Sequence, residues 1–149
     1  QKQLSCLIFK PVKITDHHYQ RIISAKLFID EHFDGPINLS AISQSACLSR
    51  FHFHRLFSQV YQRTPHQYLT RKRIEKAKEL LLKEEKTVSE VCMEVGFESL
   101  GSFSSLFKKE IGFTPQYYRN MAFRKKQMAK ERPATFIPHC FIESYPPGE

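Results

Sequence analysis

Residues 49–83 read SRFHFHRLFSQVYQRTPHQYLTRKRIEKAKELLLK, and the fold turns on how this stretch is parsed. The spacing predicts a short helix, a sharp break, and then a long basic helix. With Phe53 at the centre of an inward face, Leu56, Phe57 and Val60 fall within roughly 60° of it at about 100° per residue. The opposite side then carries Phe51, Arg55 and Ser58, with His54 and Gln59 on its flanks. A phenylalanine directed away from the core, one turn from an arginine, is unusual on a solvated face. It suits a surface that meets something flat and negatively charged, such as the major groove of DNA.

An internal repeat strengthens this reading. A shift of fifty residues lays Ser49 on Ser99, Phe53 on Phe103, Leu56 on Leu106, Phe57 on Phe107, Thr64-Pro65 on Thr114-Pro115 and Tyr68 on Tyr118. Upstream of Ser49 the register is forty-nine, pairing Leu39 with Val88, Ser40 with Ser89 and Ile42 with Val91. The second copy therefore holds one extra residue near Gly96-Phe97-Glu98. Two copies of a helix–turn–helix–TP–helix unit are not a chance matching of apolar positions.

Working outward, the helix boundaries carry their own signals. Asp16 is placed to cap a helix running to about Phe33, with Tyr19, Ile22, Ile23 and Ile29 among its apolar positions, and Gly35-Pro36 ends it. Asn38 caps a short helix, LSAISQSA, whose Leu39, Ile42 and Ala46 lie on one side. Cys47-Leu48 is then a tight turn, and Ser49 caps the next helix. Thr64 and Gln67 form a capping box around Pro65 at the first helical position. The helix that follows reaches about Lys83 and spans roughly 28 Å. Thr87 and Glu90 form a second capping box, Ser99 caps LGSFSSLFKKEI, Gly112 ends that helix, and Thr114-Pro115 opens a last one reaching about Lys130.

These boundaries divide the chain into an extension (1–15), a first unit (16–64), a connecting helix (65–83), a second unit (84–130) and a proline-broken tail (131–149). In the extension, LSCLIF is compatible with a short strand or with the remnant of a preceding domain. The expected fold is all-α, with about seven helices.

The chain has 149 residues, a net charge of +8 and a pI near 9.4, which favours an anionic partner. The distribution is more telling. Residues 1–49 carry +1, residues 50–86 carry +6, residues 87–107 carry −3 and residues 108–149 carry +4. Positive charge clusters after each candidate recognition helix. No apolar run approaches the ~20 residues of a membrane span. Cysteines 6, 47, 92 and 140 lack metal-ligand spacing and read as thiols of a reduced, cytoplasmic protein, with Cys47 and Cys92 at inward-looking helical positions. No secretory signal is evident, and the chain reads as a possible fragment of something longer.

Residues about 17–126 resemble the DNA-binding domain of the AraC/XylS family of bacterial transcription regulators. The resemblance rests on SRFHFHRLF followed by TPHQYL in the first unit, and on GFESLGSFSSLFKKEIGFTPQYYR in the second. It implies seven helices, with two helix-turn-helix units joined by a long helix, and recognition helices that enter successive major-groove segments. A connecting helix of this length suits segments about 34 Å apart, so a monomer suffices and the site need not be palindromic. Two departures stand out. Where the family commonly has glycine, in the first turn and just before the first TP pair, this chain has Cys47 and Gln62, which implies a less comfortable backbone there.

Carried over residue by residue, the resemblance implies base reading by Phe51, His54 and Arg55, and in the second unit by Leu100, Gly101, Ser102, Ser104 and Ser105. Ser49, Arg50, Arg71, Lys72, Arg73, Ser99, Lys108 and Lys109 are the candidate phosphate contacts. Arg55 has the chemistry to bond two acceptors of one guanine, His54 can serve at a base edge, and Phe51 can touch a thymine methyl. The plainer alternatives are a solvated Arg55 and a Phe51 packed under the connecting helix. Gly101 costs about 1 kcal/mol relative to alanine in a helix, and either permits close approach to DNA or is tolerated drift. A charge run such as Arg71-Lys72-Arg73 is by default a solvated face.

His52 and His54 lie about 200° apart on a helix and cannot share a metal ion. No catalytic cluster of acid, base and nucleophile stands out, so neither an enzyme nor a cofactor is expected. Double-stranded DNA is the expected partner, with RNA polymerase as a second if the protein activates. A sequence-blind architectural DNA binder and a protein-interaction module are the rival functions.

Overall fold

The computed structural model describes residues 14–83 and 85–136. The expected extension, its LSCLIF segment, and the tail beyond Phe136 lie outside the described residues. Those described form helices α1 (Asp16–His32), α2 (Leu39–Ser45), α3 (Arg50–Tyr61), α4 (Pro65–Lys83), α5 (Val88–Glu94), α6 (Leu100–Ile111) and α7 (Pro115–Glu131), followed by a 3-10 turn at Pro133–Phe136. The fold is all-α, and among the described residues no helix is long and apolar enough to cross a membrane.

Local chemistry accounts for the boundaries. Asn38 Oδ1 accepts from Ala41 N–H at 3.0 Å, starting α2. The Ser49 hydroxyl accepts from His52 N–H at 3.3 Å, and the Ser99 hydroxyl from Ser102 N–H at 3.4 Å, starting α3 and α6. Thr64 and Gln67 close their capping box at 2.9 and 3.2 Å, and Thr87 and Glu90 close theirs at 2.6 and 3.2 Å. These bonds satisfy amides that the first turn of a helix otherwise leaves unpaired. The start of α1 differs from expectation. Thr15 is the cap, its N–H donating to His18 Nδ1 at 3.2 Å, and Asp16 is already the first helical residue.

The described residues pack as two compact units, divided between Arg73 and Ile74. The first unit buries Ile22, Ala25 and Ile29 of α1, Ile42 and Ala46 at α2, Phe53, Leu56 and Phe57 of α3, and Leu69 of α4. The second buries Ile74, Ala77, Leu80 and Leu81 of α4, Val91, Cys92 and Val95, Phe97, and Phe103 and Phe107 of α6. Helix α4 therefore supplies side chains to both cores.

The repeat extends one helix further than the motif positions reveal. An offset of fifty-two carries Ile22, Ala25 and Ile29 onto Ile74, Ala77 and Leu81, all buried. The distal part of α4 does for the second unit what α1 does for the first. The aromatic core repeats too: Phe53, Phe57 and Tyr68 stack edge to face or tilted, with centroids 5.3 and 5.5 Å apart. Phe103, Phe107 and Tyr118 do the same at 5.7 and 5.6 Å. Each fully buried phenylalanine contributes roughly 1.5–3 kcal/mol of apolar burial.

Of the apolar positions read for α1, Ile22 and Ile29 are buried together with Ala25, whereas Tyr19 and Ile23 are half exposed. Cys92 is buried as expected, but Cys47 is exposed. It sits past the end of α2, with a left-handed φ of 50°, so helical periodicity does not apply to it. Gln62 likewise has φ 54°. The repeat places glycine opposite both, Gly96 at φ 84° and Gly112 at φ 89°, so the first unit holds side chains where the second has none. Each such residue costs roughly 1–2 kcal/mol in the left-handed region.

Candidate nucleic-acid interface

Burying Phe53, Leu56 and Phe57 fixes the rotation of α3 and with it what the helix shows to solvent. Phe51 is 78% exposed, which removes the alternative of a packed Phe51. Arg50 beside it is exposed, and His54 and Arg55 are half-buried. Together with Leu39 these four side chains line one open cleft at the start of α3. The structure thus brings Phe51, His54 and Arg55 together, with Arg50 at their side.

The second half of α3 is not part of that surface. Arg55, Ser58 and Gln59 are all half-buried, and Arg55 Nε is buried like the Ser58 hydroxyl oxygen, so full exposure on the face expected to run through Ser58 is confined to Arg50 and Phe51. The presented surface is the amino-terminal half of the helix, the part that a recognition helix sends to base edges. Leu39 was expected on the inward side of α2 with Ile42 and Ala46. Those two are buried, but Leu39 is 37% exposed and lines the cleft. As the first residue of its helix, it lies beyond the packed turn. The repeat held the signal, since Leu39 pairs with Val88, which lines the corresponding cleft of the second unit.

That second cleft is lined by Thr87, Val88 and Ser89 from the start of α5, Leu100 and Ser104 from α6, and Thr114, Pro115, Gln116 and Arg119 from the start of α7. Gly101, Ser102 and Ser105 are exposed on α6, as are Lys108 and Lys109 in its later turns. A Cβ added at Gly101 would meet only the Ser99 hydroxyl, at 3.7 Å, an ordinary contact. Nothing within the fold requires glycine there. The sequence reading gave Thr87 and Ser89 only as a cap and a repeat position, and did not single out Gln116 and Arg119, because folding alone brings the starts of α5 and α7 beside α6.

The basic run after Pro65 divides by geometry. Arg71 is exposed. Lys72 lies 3.3 Å from the Asp30 carboxylate, which also holds Lys26 at 2.5 Å and accepts from the Tyr68 hydroxyl at 3.3 Å. Burial alone would raise the Asp30 carboxyl, but hydrogen bonds from Lys26 and Lys72, and their charges, outweigh it and hold the group below its ordinary value. Arg73 donates from Nε to Phe33 O at 2.6 Å and from Nη2 to Gly35 O at 2.8 Å. Its guanidinium is spent on the end of α1, so the geometry favours a structural role over the phosphate contact expected of it. Among the described residues, no group of three His, Cys, Asp or Glu is placed to hold a metal ion.

Comparison with known proteins follows this geometry closely. Residues 42–121 match the helix-turn-helix domain family. The probable transcriptional regulator LumQ of Photobacterium leiognathi is 33% identical over 119 residues, 78% of this chain and 48% of LumQ. The chain thus spans about half the length of that relative. The regulatory protein SoxS of Salmonella typhimurium is 30% identical over 103 residues, which cover 68% of this chain and 96% of SoxS. Among solved structures, the DNA-binding domain of the global transcriptional factor AdpA, in complex with a target DNA, superposes with a TM-score of 0.65. It shares 25% identity and covers 76% of this chain and 96% of that domain. Family match, relatives and paired helix-turn-helix units agree: the chain belongs to the AraC/XylS family of transcription regulators and carries its DNA-binding domain.

Proposed function

We propose that this chain binds duplex DNA sequence-specifically and regulates transcription, with the starts of α3 and α6 reading two successive major-groove segments. The observation that carries this is the exposed Phe51 beside Arg50, His54 and Arg55, on a helix whose rotation is fixed by three buried side chains. A sequence-blind architectural binder would explain the charge, but not an outward Phe51 beside Arg55 on a capped helix within a paired helix-turn-helix scaffold. Arg55 reads a guanine, Phe51 a thymine methyl, and His54 a neighbouring base edge. Leu100, Gly101, Ser102, Ser104 and Ser105 form the weaker reader. Ser49, Arg50, Arg71, Ser99, Lys108 and Lys109 hold phosphates and position both readers.

Because one chain carries both readers, it occupies its site as a monomer. If it activates, RNA polymerase is its protein partner, and its setting is the bacterial cytoplasm on the nucleoid. The test is affinity for a selected duplex and a scrambled one at two salt concentrations. The expected result is a steep loss with salt on both, with the selected duplex bound on the order of a thousandfold more tightly. Equal affinity for the two duplexes would refute sequence reading.

A further inference from the structure

The turn between α2 and α3 sets the direction in which the first recognition helix leaves, and in this chain it is built on a strained residue. Cys47 holds a left-handed φ of 50°, while the second unit solves the same turn with Gly96 at 84°. Cys47 N–H donates to Gln44 O at 2.9 Å and Leu48 N–H to Ser43 O at 3.1 Å, which closes the end of α2. The Cys47 carbonyl has a partner outside the turn. Arg21 of α1 donates to it from Nη1 at 2.9 Å. Arg21 is adjacent to Ile22, a core residue with 1% exposure, so its helix is firmly seated in the first unit. A guanidinium there also offsets the partial negative charge at the end of α2.

We propose that Arg21 is a positioning residue for DNA recognition. By holding the Cys47 carbonyl, it stabilises a turn that lacks glycine and fixes the angle at which α3 presents Phe51, His54 and Arg55. The proposal rests on the DNA-reading function argued above. It separates Arg21 from the phosphate-binding arginines: its effect reaches the bases through the turn, not through its charge. Glycine at position 47 relieves the backbone strain and makes the external support dispensable.

The test compares the wild-type protein with Arg21→Ala, Cys47→Gly and the double variant. Binding is measured to a selected and a scrambled duplex, and amide hydrogen exchange is followed at positions 47 and 48, whose N–H groups close the end of α2. Arg21→Ala is expected to weaken the selected duplex roughly three- to tenfold, about the value of one hydrogen bond, with little change on the scrambled one. Exchange at positions 47 and 48 should quicken, and the double variant should recover both properties. Equal weakening on both duplexes, or no recovery on adding Cys47→Gly, would overturn the proposal in favour of a simple charge effect. Unchanged exchange would overturn it as well. The exchange measurement needs no DNA, so a wild-type protein that fails to discriminate the duplexes refutes the function and leaves the brace on the turn separately judged.

Discussion

Arg55 and Phe51 sit one turn apart on α3, and in the proposed function they read different base edges. A guanidinium that grips one guanine bidentately is worth about 1–3 kcal/mol of discrimination, so Arg55→Ala should cost that much and relax preference at one base pair. Ser102→Ala and Ser105→Ala should each cost less, since each removes at most one modest hydrogen bond. Parallel affinities on variant duplexes check both statements. Phe51→Ala and replacement of the contacted thymine by uracil delete the same contact, so their combined cost should fall short of the sum. Additive costs would place the methyl elsewhere. Gly101→Ala separates fold from function. Because the added methyl meets only Ser99 Oγ at 3.7 Å, the melting temperature should rise, reflecting about 1 kcal/mol of helix propensity. Affinity for the selected site should fall if the backbone there approaches DNA. At this scale the sequence was legible where the side chain's own chemistry decides, as at Phe51 and Arg55. It was illegible where partners are distant in sequence: nothing near Arg73 indicates that its donors go to Phe33 O and Gly35 O.

At the scale of elements, the caps did most of the work of making the fold readable. Asn38, Ser49, Thr64, Thr87, Ser99 and Thr114 each stand immediately before a helix. Past a helix end the period no longer applies, which is why Cys47 is exposed, whereas the left-handed backbone at Cys47 and Gln62 was legible as side chains standing where glycine is usual. Gln62→Gly should therefore stabilise the first unit by roughly 0.5–1 kcal/mol, net of the extra freedom glycine gives the unfolded chain. Urea unfolding followed on the Tyr61 and Tyr68 cluster checks it. Contacts between α1 and α4 carry a pH dependence of known sign. The folded Asp30 carboxyl lies below its ordinary value, so its contribution is fully present above the unfolded carboxylate pKa and is lost as pH falls through the folded one. The stability of the wild-type protein should drop below about pH 4 more steeply than that of Asp30→Asn, as compared by thermal unfolding. Parallel slopes would mean that Lys26 and Lys72 do not hold the carboxylate in solution.

For the whole molecule, charge and chemistry both point to unequal units. Residues 50–86 carry +6 whereas residues 87–107 carry −3, and the first unit's candidate reader has long polar arms where the second has short serines. With Lys108 as a phosphate contact, as proposed, Lys108→Ala should weaken selected and scrambled duplexes alike and flatten the dependence on salt. The most direct measurement of the central claim is selection from a random duplex pool by the protein, followed by sequencing of the bound fraction. The account predicts a two-block motif with block centres about 10 base pairs apart, the first unit's block carrying more information and containing a guanine whose preference disappears in Arg55→Ala. A pool that stays random, a single short block, or a motif unmoved by Arg55→Ala would contradict it.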